Sequence, residues 1–204
     1  MKKLLIGLII IFLIIFAVAE IYVYYKNKEN EPVLIDNEHD ATQELEFDDK
    51  LKVSEYNNNM SFSCSFWLYI NNWDLINPRK KRFVMKYNSP NGGFDILLGN
   101  NQTSKHNDMT IRLTTHSRKY ETITVKDIKL QKWMHICFVV ENRNMDVFVN
   151  SKMYKSIKLA GIPILEEEGK LIISPNGGFK GLIKKFQYFN RKIGLSKINS
   201  LYKN

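Results

Sequence analysis

Cysteine and proline are the scarce residues of this chain, two and five among 204, and glycine stands at only ten. Two cysteines make at most one bridge, which excludes a small scaffold stapled by several disulfides. So few prolines, alongside 44% hydrophobic and 12% aromatic residues, exclude a low-complexity or disordered chain and point to a globular one. The four histidines, His39, His106, His116 and His135, show no metal-ligand spacing. Arginine is rare as well, six against 24 lysines, so a single lysine is a weaker sign of selection than usual. At 204 residues the chain has room for one ordinary domain and an appendage.

What is present divides the chain by charge. The net charge of +9 conceals an acidic stretch, residues 27–49, where Glu29, Glu31, Asp36, Glu38, Asp40, Glu44, Glu46, Asp48 and Asp49 face Lys28 alone. The remainder is basic. Ahead of the acidic stretch, Leu4–Tyr25 is apolar except for Glu20. As a helix it would extend roughly 33 Å, enough to cross a bilayer. Glu20 lies close enough to the end to snorkel, and Tyr22, Tyr24 and Tyr25 suit the headgroup belt. Ala17-Val18-Ala19 has the small-x-small form of a cleaved signal peptide, but the apolar run is long for one and continues past that point. The expectation is a retained single-pass anchor, residues 1–25, then an acidic tether, 26–44, and a folded domain, 45–204. Lys2 and Lys3 put the N-terminus in the cytoplasm and the domain on the extracytoplasmic or luminal side. There the sequons beginning at Asn59 and Asn101 become candidate glycan acceptors.

The domain reads as strands. In "SFSCSFWLYI" (61–70), Phe62, Cys64, Phe66, Leu68 and Ile70 fall on one side of an extended chain, and Ser63, Ser65, Trp67 and Tyr69 on the other. Strand patterns recur at 82–87, 93–99, 109–116, 120–126, 133–141, 145–150, 170–174 and 180–189, separated by turn signals such as "NSPNGG" and "ENRN". This spacing predicts an all-β sandwich or barrel. Only "GLSKINSLY", at 194–202, suggests a helical turn. Cys64 and Cys137, on core strands in an oxidising compartment, are either partners or two separate buried thiols.

Three blocks carry a resemblance: "SFSCSFWLYI", then "WMHICFVVENRNMDVFVNSKMYKS", then "NGGFKGLIKKFQYFNRKIGLSKINSLY". In this order they resemble the concanavalin A-like lectin/glucanase superfamily, in its laminin-G-like and pentraxin-like branch, over about residues 45–203. The details "NNWDL" and "LQKWMHI" are also similar to membrane-anchored members encoded by large DNA viruses. The resemblance implies a jelly-roll β-sandwich behind the transmembrane helix. It also implies a disulfide, because Cys64 and Cys137 match two positions that pentraxins join.

The fold hosts both lectins and hydrolases, so residues must decide between them. The glucanases use carboxylates alternating on one strand. The only near match is Glu44, Glu46 and Asp48, ahead of the first signature strand, and Glu166 to Glu168 read as a solvated loop. No enzyme activity is expected. Pentraxin calcium sites are not inherited, since Gly93 and Phe94 stand where the resemblance would need Asp and Asn. Asp95 is left as an isolated acid, with no metal and no cofactor expected. The candidate ligand residues are the basic run Arg79, Lys80, Lys81 and Arg82, with lysines 152, 155, 158, 180, 184 and 185 extending it, and Trp73 beside it. Trp67 and Tyr69 are candidates for stacking on sugar rings or for subcore packing. The reading is a membrane-anchored, non-catalytic module binding anionic or neutral glycans or another acidic surface. The alternative is a structural envelope component engaging protein partners. Nucleic acid is not expected.

Overall fold

The computed structural model describes residues 2–47, 51, 60–72, 82–99, 107–116, 120–166 and 168–203, with 2–5 and 27–30 as backbone only. Helix α1 runs Lys2–Asn30. Its Ile6–Lys26 section, 21 residues, is long and apolar enough to cross a membrane, and none of it is buried against the protein. Thirteen strands follow among the described residues: β1 Val33–Ile35, β2 His39–Asp40, β3 Leu45–Phe47, β4 Ser61–Ile70, β5 Arg82–Asn88, β6 Gly93–Leu98, β7 Met109–Thr114, β8 Tyr120–Val125, β9 Met134–Glu141, β10 Asn144–Val149, β11 Lys152–Lys158, β12 Lys170–Ile173 and β13 Gly181–Phe189. A second helix, α2, spans Leu195–Lys203.

All pairings between strands are antiparallel, in two sheets. One runs β1-β13-β4-β9-β10-β11, with β2 also on β13; the other runs β3-β12-β5-β6-β7-β8. The expected sandwich is what forms. The alternation in β4 decides its orientation: Phe62, Cys64, Phe66, Leu68 and Ile70 all enter the core between the sheets. There Phe62 stacks on Phe94 of the opposite sheet at 5.6 Å, and Phe94 on Tyr87 at 5.8 Å. Each copy of "SPNGG" needs its second glycine. A Cβ on Gly93, at φ 139°, would sit 2.1 Å from the Tyr87 carbonyl oxygen, and one on Gly178, at φ 45°, 2.1 Å from that of Ala41.

Two expectations are corrected and a third is refined. The segment 26–44 is not a free tether. Helix α1 takes its first part, and β1 and β2 then pair along β13, Val33 opposite Gln187 and His39 opposite Ile183. Ile35 and Ala41 join the core. The carboxylates are drawn onto basic partners: Glu31 pairs with Arg191 and Lys197, and Glu46 with Lys170 at 2.6 Å. Strands of two or three residues are too short for alternation to show, so the charge pattern hid them.

The Cys64–Cys137 bridge is not formed; both are free, buried thiols. Cross-strand register explains it. Cys64 faces Phe138 and Ser65 faces Cys137, so the two cysteines are offset by one residue. That offset sends them to opposite faces of one sheet, Cys64 into the core and Cys137 under α2.

Glu166 does lie in a loop, half-exposed, but it is tied down rather than free. Its Oε1 accepts from the Asn91 side-chain amide at 2.6 Å, and its backbone carbonyl accepts from the Tyr87 hydroxyl, tying it to the first "SPNGG" turn.

Candidate ligand-binding groove

The outward face of the β13-β4-β9-β10 sheet divides into two regions. Over one, α2 lays down Ile198, with Leu201 beside it, on Cys137, Val139, Phe148 and Phe189, a small second core. The Ser63 hydroxyl fastens the approach to α2, donating to the Arg191 carbonyl at 2.9 Å and accepting from the Ile193 N–H at 3.2 Å. Beyond this lid the face opens into a groove of about 290 Å³, lined by Trp67, Trp133, Lys184, Lys185, Tyr202 and Lys203. That volume lies at the lower end of small-molecule sites, roughly 300–1,000 Å³.

Register assembles the floor. Trp67 of β4 lies opposite His135 of β9 and Lys184 of β13. Tyr202, from the last turn of α2, stacks on Trp67 with ring centroids 5.6 Å apart and planes 12° from parallel. Trp133 packs against Tyr69 at 5.4 Å, and the Lys184 ammonium sits 4.1 Å above the Trp133 ring. Beneath Trp67 and Tyr202 lies His135, fully buried, its Nε2 2.8 Å from the Ser65 hydroxyl and its Nδ1 without a partner. Burial pushes the His135 pKa down to about 4, so the ring is neutral and adds no charge.

The two lysines share the groove because β13 carries a bulge. Lys184 pairs with Trp67 and Gln187 with Ser65, so Lys185 and Phe186 together oppose a single β4 residue, Phe66. Phe186 goes into the core, and Lys185 takes the left-handed conformation, φ 48°. The Lys184 ammonium also reaches the Glu38 carboxylate at 3.0 Å, which brings the chain just before β2 to the groove edge.

Of the residues expected from the sequence, Trp67 lines this groove and Tyr69 supports it, both half-buried on the face opposite Phe62 and Phe66. Lys184 and Lys185 line it too, without the other lysines expected to extend the basic run. Arg79, Lys80, Lys81 and Trp73, and the sequon residues Asn59 and Asn101, lie outside the described residues. Arg82 opens β5, half-buried, its guanidinium pKa lowered by desolvation. Asp95 is held by Arg112, which donates through Nε at 2.6 Å and makes a second bond through Nη2, so it is neutralised rather than offered to a cation. No cluster of metal-ligating side chains occurs among the described residues. Glu44 accepts from the Asn176 N–H at 2.9 Å and Glu46 pairs with Lys170, while Asp48 lies outside the described residues.

Sequence reasoning missed Trp133, Tyr202, Lys203 and Glu38 as partners in one site. One signal was available: in "GLIKKFQYF" the doubled lysine breaks an otherwise alternating strand, the mark of a bulge.

A family model described as the concanavalin A-like lectin/glucanases superfamily, of laminin-G type, matches residues 40–199. No curated protein matches the chain in sequence. Among solved structures, the receptor binding domain of botulinum neurotoxin D is similar with a TM-score of 0.58 at 19% identity, over 86% of this chain and 48% of that one. The binding domain of serotype G gives 0.55 at 19% identity, over 82% and 46%. The receptor binding domain of a mosaic C/D serotype gives 0.58 at 15% identity, over 87% and 51%. This chain therefore spans about half the length of these structures, and the likeness is one of fold.

Proposed function

Because the chain belongs to the concanavalin A-like lectin/glucanases superfamily, we propose that it is a non-catalytic binding module, held on a membrane by α1, that recognises glycans or another acidic surface ligand. The observation that carries this reading is the groove itself, where aromatic rings line a shallow site of sugar-like dimensions and lysines border it. Its position supports display. Glu31, one residue beyond α1, pairs with Arg191 and Lys197 past the C-terminal end of β13, whereas the groove lies nearer the N-terminal end of that strand. The similar structures are named as receptor binding domains, in keeping with a binding role.

The basic run Arg79, Lys80, Lys81 and Arg82, with Trp73, belongs to the proposal as a second electrostatic contact. Likeness to membrane-anchored proteins of large DNA viruses makes a virion or host membrane the setting we propose. The test is a glycan array probed with the full chain in neutral detergent at low and physiological salt. Saccharide binding that weakens with salt, and weakens further when residues 79–82 are all alanine, is the expected result. No saccharide bound at low salt would reject the reading. A structural component engaging proteins would then stand in its place, a role favoured by the sheet edge at β11, where Met153 is 56% exposed.

A further inference from the structure

Lys185 is the one non-glycine residue inside a strand with positive φ among the described residues; the others lie in turns and loops. Left-handed backbone is costly for a residue with a Cβ, and a bulge that tolerates it serves to re-aim a side chain. Without the bulge, strict alternation would turn Lys185 toward the core beside Phe66. With it, two successive lysines line one groove, and Lys203 from the end of α2 is the third. The chain therefore holds a strained backbone that gathers positive charge around an aromatic floor.

That charge already has a resident partner. Glu38 reaches Lys184 at 3.0 Å, yet its side chain is 52% exposed against 26% for the lysine. An exposed ion pair of this kind contributes little and is readily exchanged. Trp133 lies under the same ammonium, and Trp67 and Tyr202 stand beside it. A ring with an apolar C–H face would stack there while its anionic group met the lysines, and about 290 Å³ admits one such ring rather than an extended chain.

Resting on the binding-module reading, we infer that this groove takes a single acidic sugar residue, one ring bearing a carboxylate or sulfate, and that Glu38 is the carboxylate it displaces from Lys184. The test uses the full chain in phosphatidylcholine nanodiscs at low ionic strength, titrated with methyl glucuronide, N-acetylneuraminic acid, a sulfated hexose, neutral methyl galactoside and inorganic sulfate, and read by tryptophan fluorescence and calorimetry. At least one acidic sugar binds about tenfold tighter than the neutral sugar or sulfate alone. Glu38→Gln tightens it several-fold, whereas Lys184→Met and Lys185→Gly each weaken it by about tenfold. In a Lys184→Met background, Glu38→Gln has no effect, because its gain acts through that lysine.

Equal binding of sulfate and acidic sugar would make the groove a plain anion site and overturn the inference. Undiminished acidic-sugar binding by both lysine variants would move the ligand elsewhere, overturning the inference while leaving the binding module intact. Absence of any saccharide binding by any form would overturn both.

Discussion

His135 is packed against both Trp67 and Tyr202, its Nδ1 without a partner, and it is held neutral by its burial. Because its folded pKa, about 4, lies below the ordinary 6.5, the unfolded chain binds a proton across that interval that the folded chain refuses. Stability is therefore full above about pH 6.5 and is lost as pH falls toward 4. The loss between pH 7 and pH 5 is about 2 kcal/mol, read as a drop in the urea midpoint that is absent in His135→Leu relative to its own pH 7 value. The two thiols obey the same physics. Burial pushes Cys137 up to about 12 and Cys64 well above its ordinary value. Neither forms a thiolate near neutrality, so a disulfide reagent should react slowly with the native protein and report two thiols per chain after denaturation. At Lys185, Lys185→Gly should raise the unfolding free energy by up to about 1 kcal/mol through relief of the left-handed backbone, measured by denaturant titration. A residue whose removal stabilises the fold and weakens binding is the signature of strain kept for function.

Helix α2 works both as a lid on a second core and as one wall of the groove. Ile198, 1% exposed, is its anchor. Ile198→Ala should cost about 2–4 kcal/mol and unseat Tyr202 from Trp67, lowering thermal stability and altering tryptophan fluorescence together. Strands β1 and β2 make the corresponding point at the other end of the chain. A truncation starting at residue 45, where the sequence places the domain boundary, removes Ile35 and Ala41 from the core and both strands from β13. It should melt well below a truncation starting at residue 31, which keeps both strands. A tether in the ordinary sense would make the two equal, and differential scanning calorimetry separates the outcomes.

For the whole molecule, the consequence of β1 is a short connection. Only Glu31 and Pro32 separate the end of α1 from the first paired strand, and Glu31 is itself tied to Arg191 and Lys197. Expressed in full, the chain should resist extraction by alkaline carbonate and be released only by detergent, since Ile6–Lys26 has no protein surface covering it. Much of this plan was legible beforehand. The strict alternation from Phe62 to Ile70, followed by eight further short apolar runs between turn signals, contained the two-layer sandwich, because a strand with one face on the core carries a period of two. The groove was legible only in fragments: Trp67 and Tyr69 stood out as an aromatic pair on the outward face, and Lys184 and Lys185 only as candidate extensions of the basic run. Nothing local connects these with Trp133, Tyr202 or Glu38.

The amino-acid order by itself determined which side chains of β4 go inward, that the domain is a β-sandwich, and that an apolar helix precedes it. These depend on periodicity and composition within a few neighbouring residues, where burial of apolar area dominates. Tertiary structure alone decided that Cys64 and Cys137 stand one register apart on opposite faces, and that the acidic segment closes onto β13. It alone brought residues 38, 67, 133, 184–185 and 202–203 to one groove. Those outcomes turn on cross-strand register and on which face α2 covers, both set by packing between segments far apart in the chain.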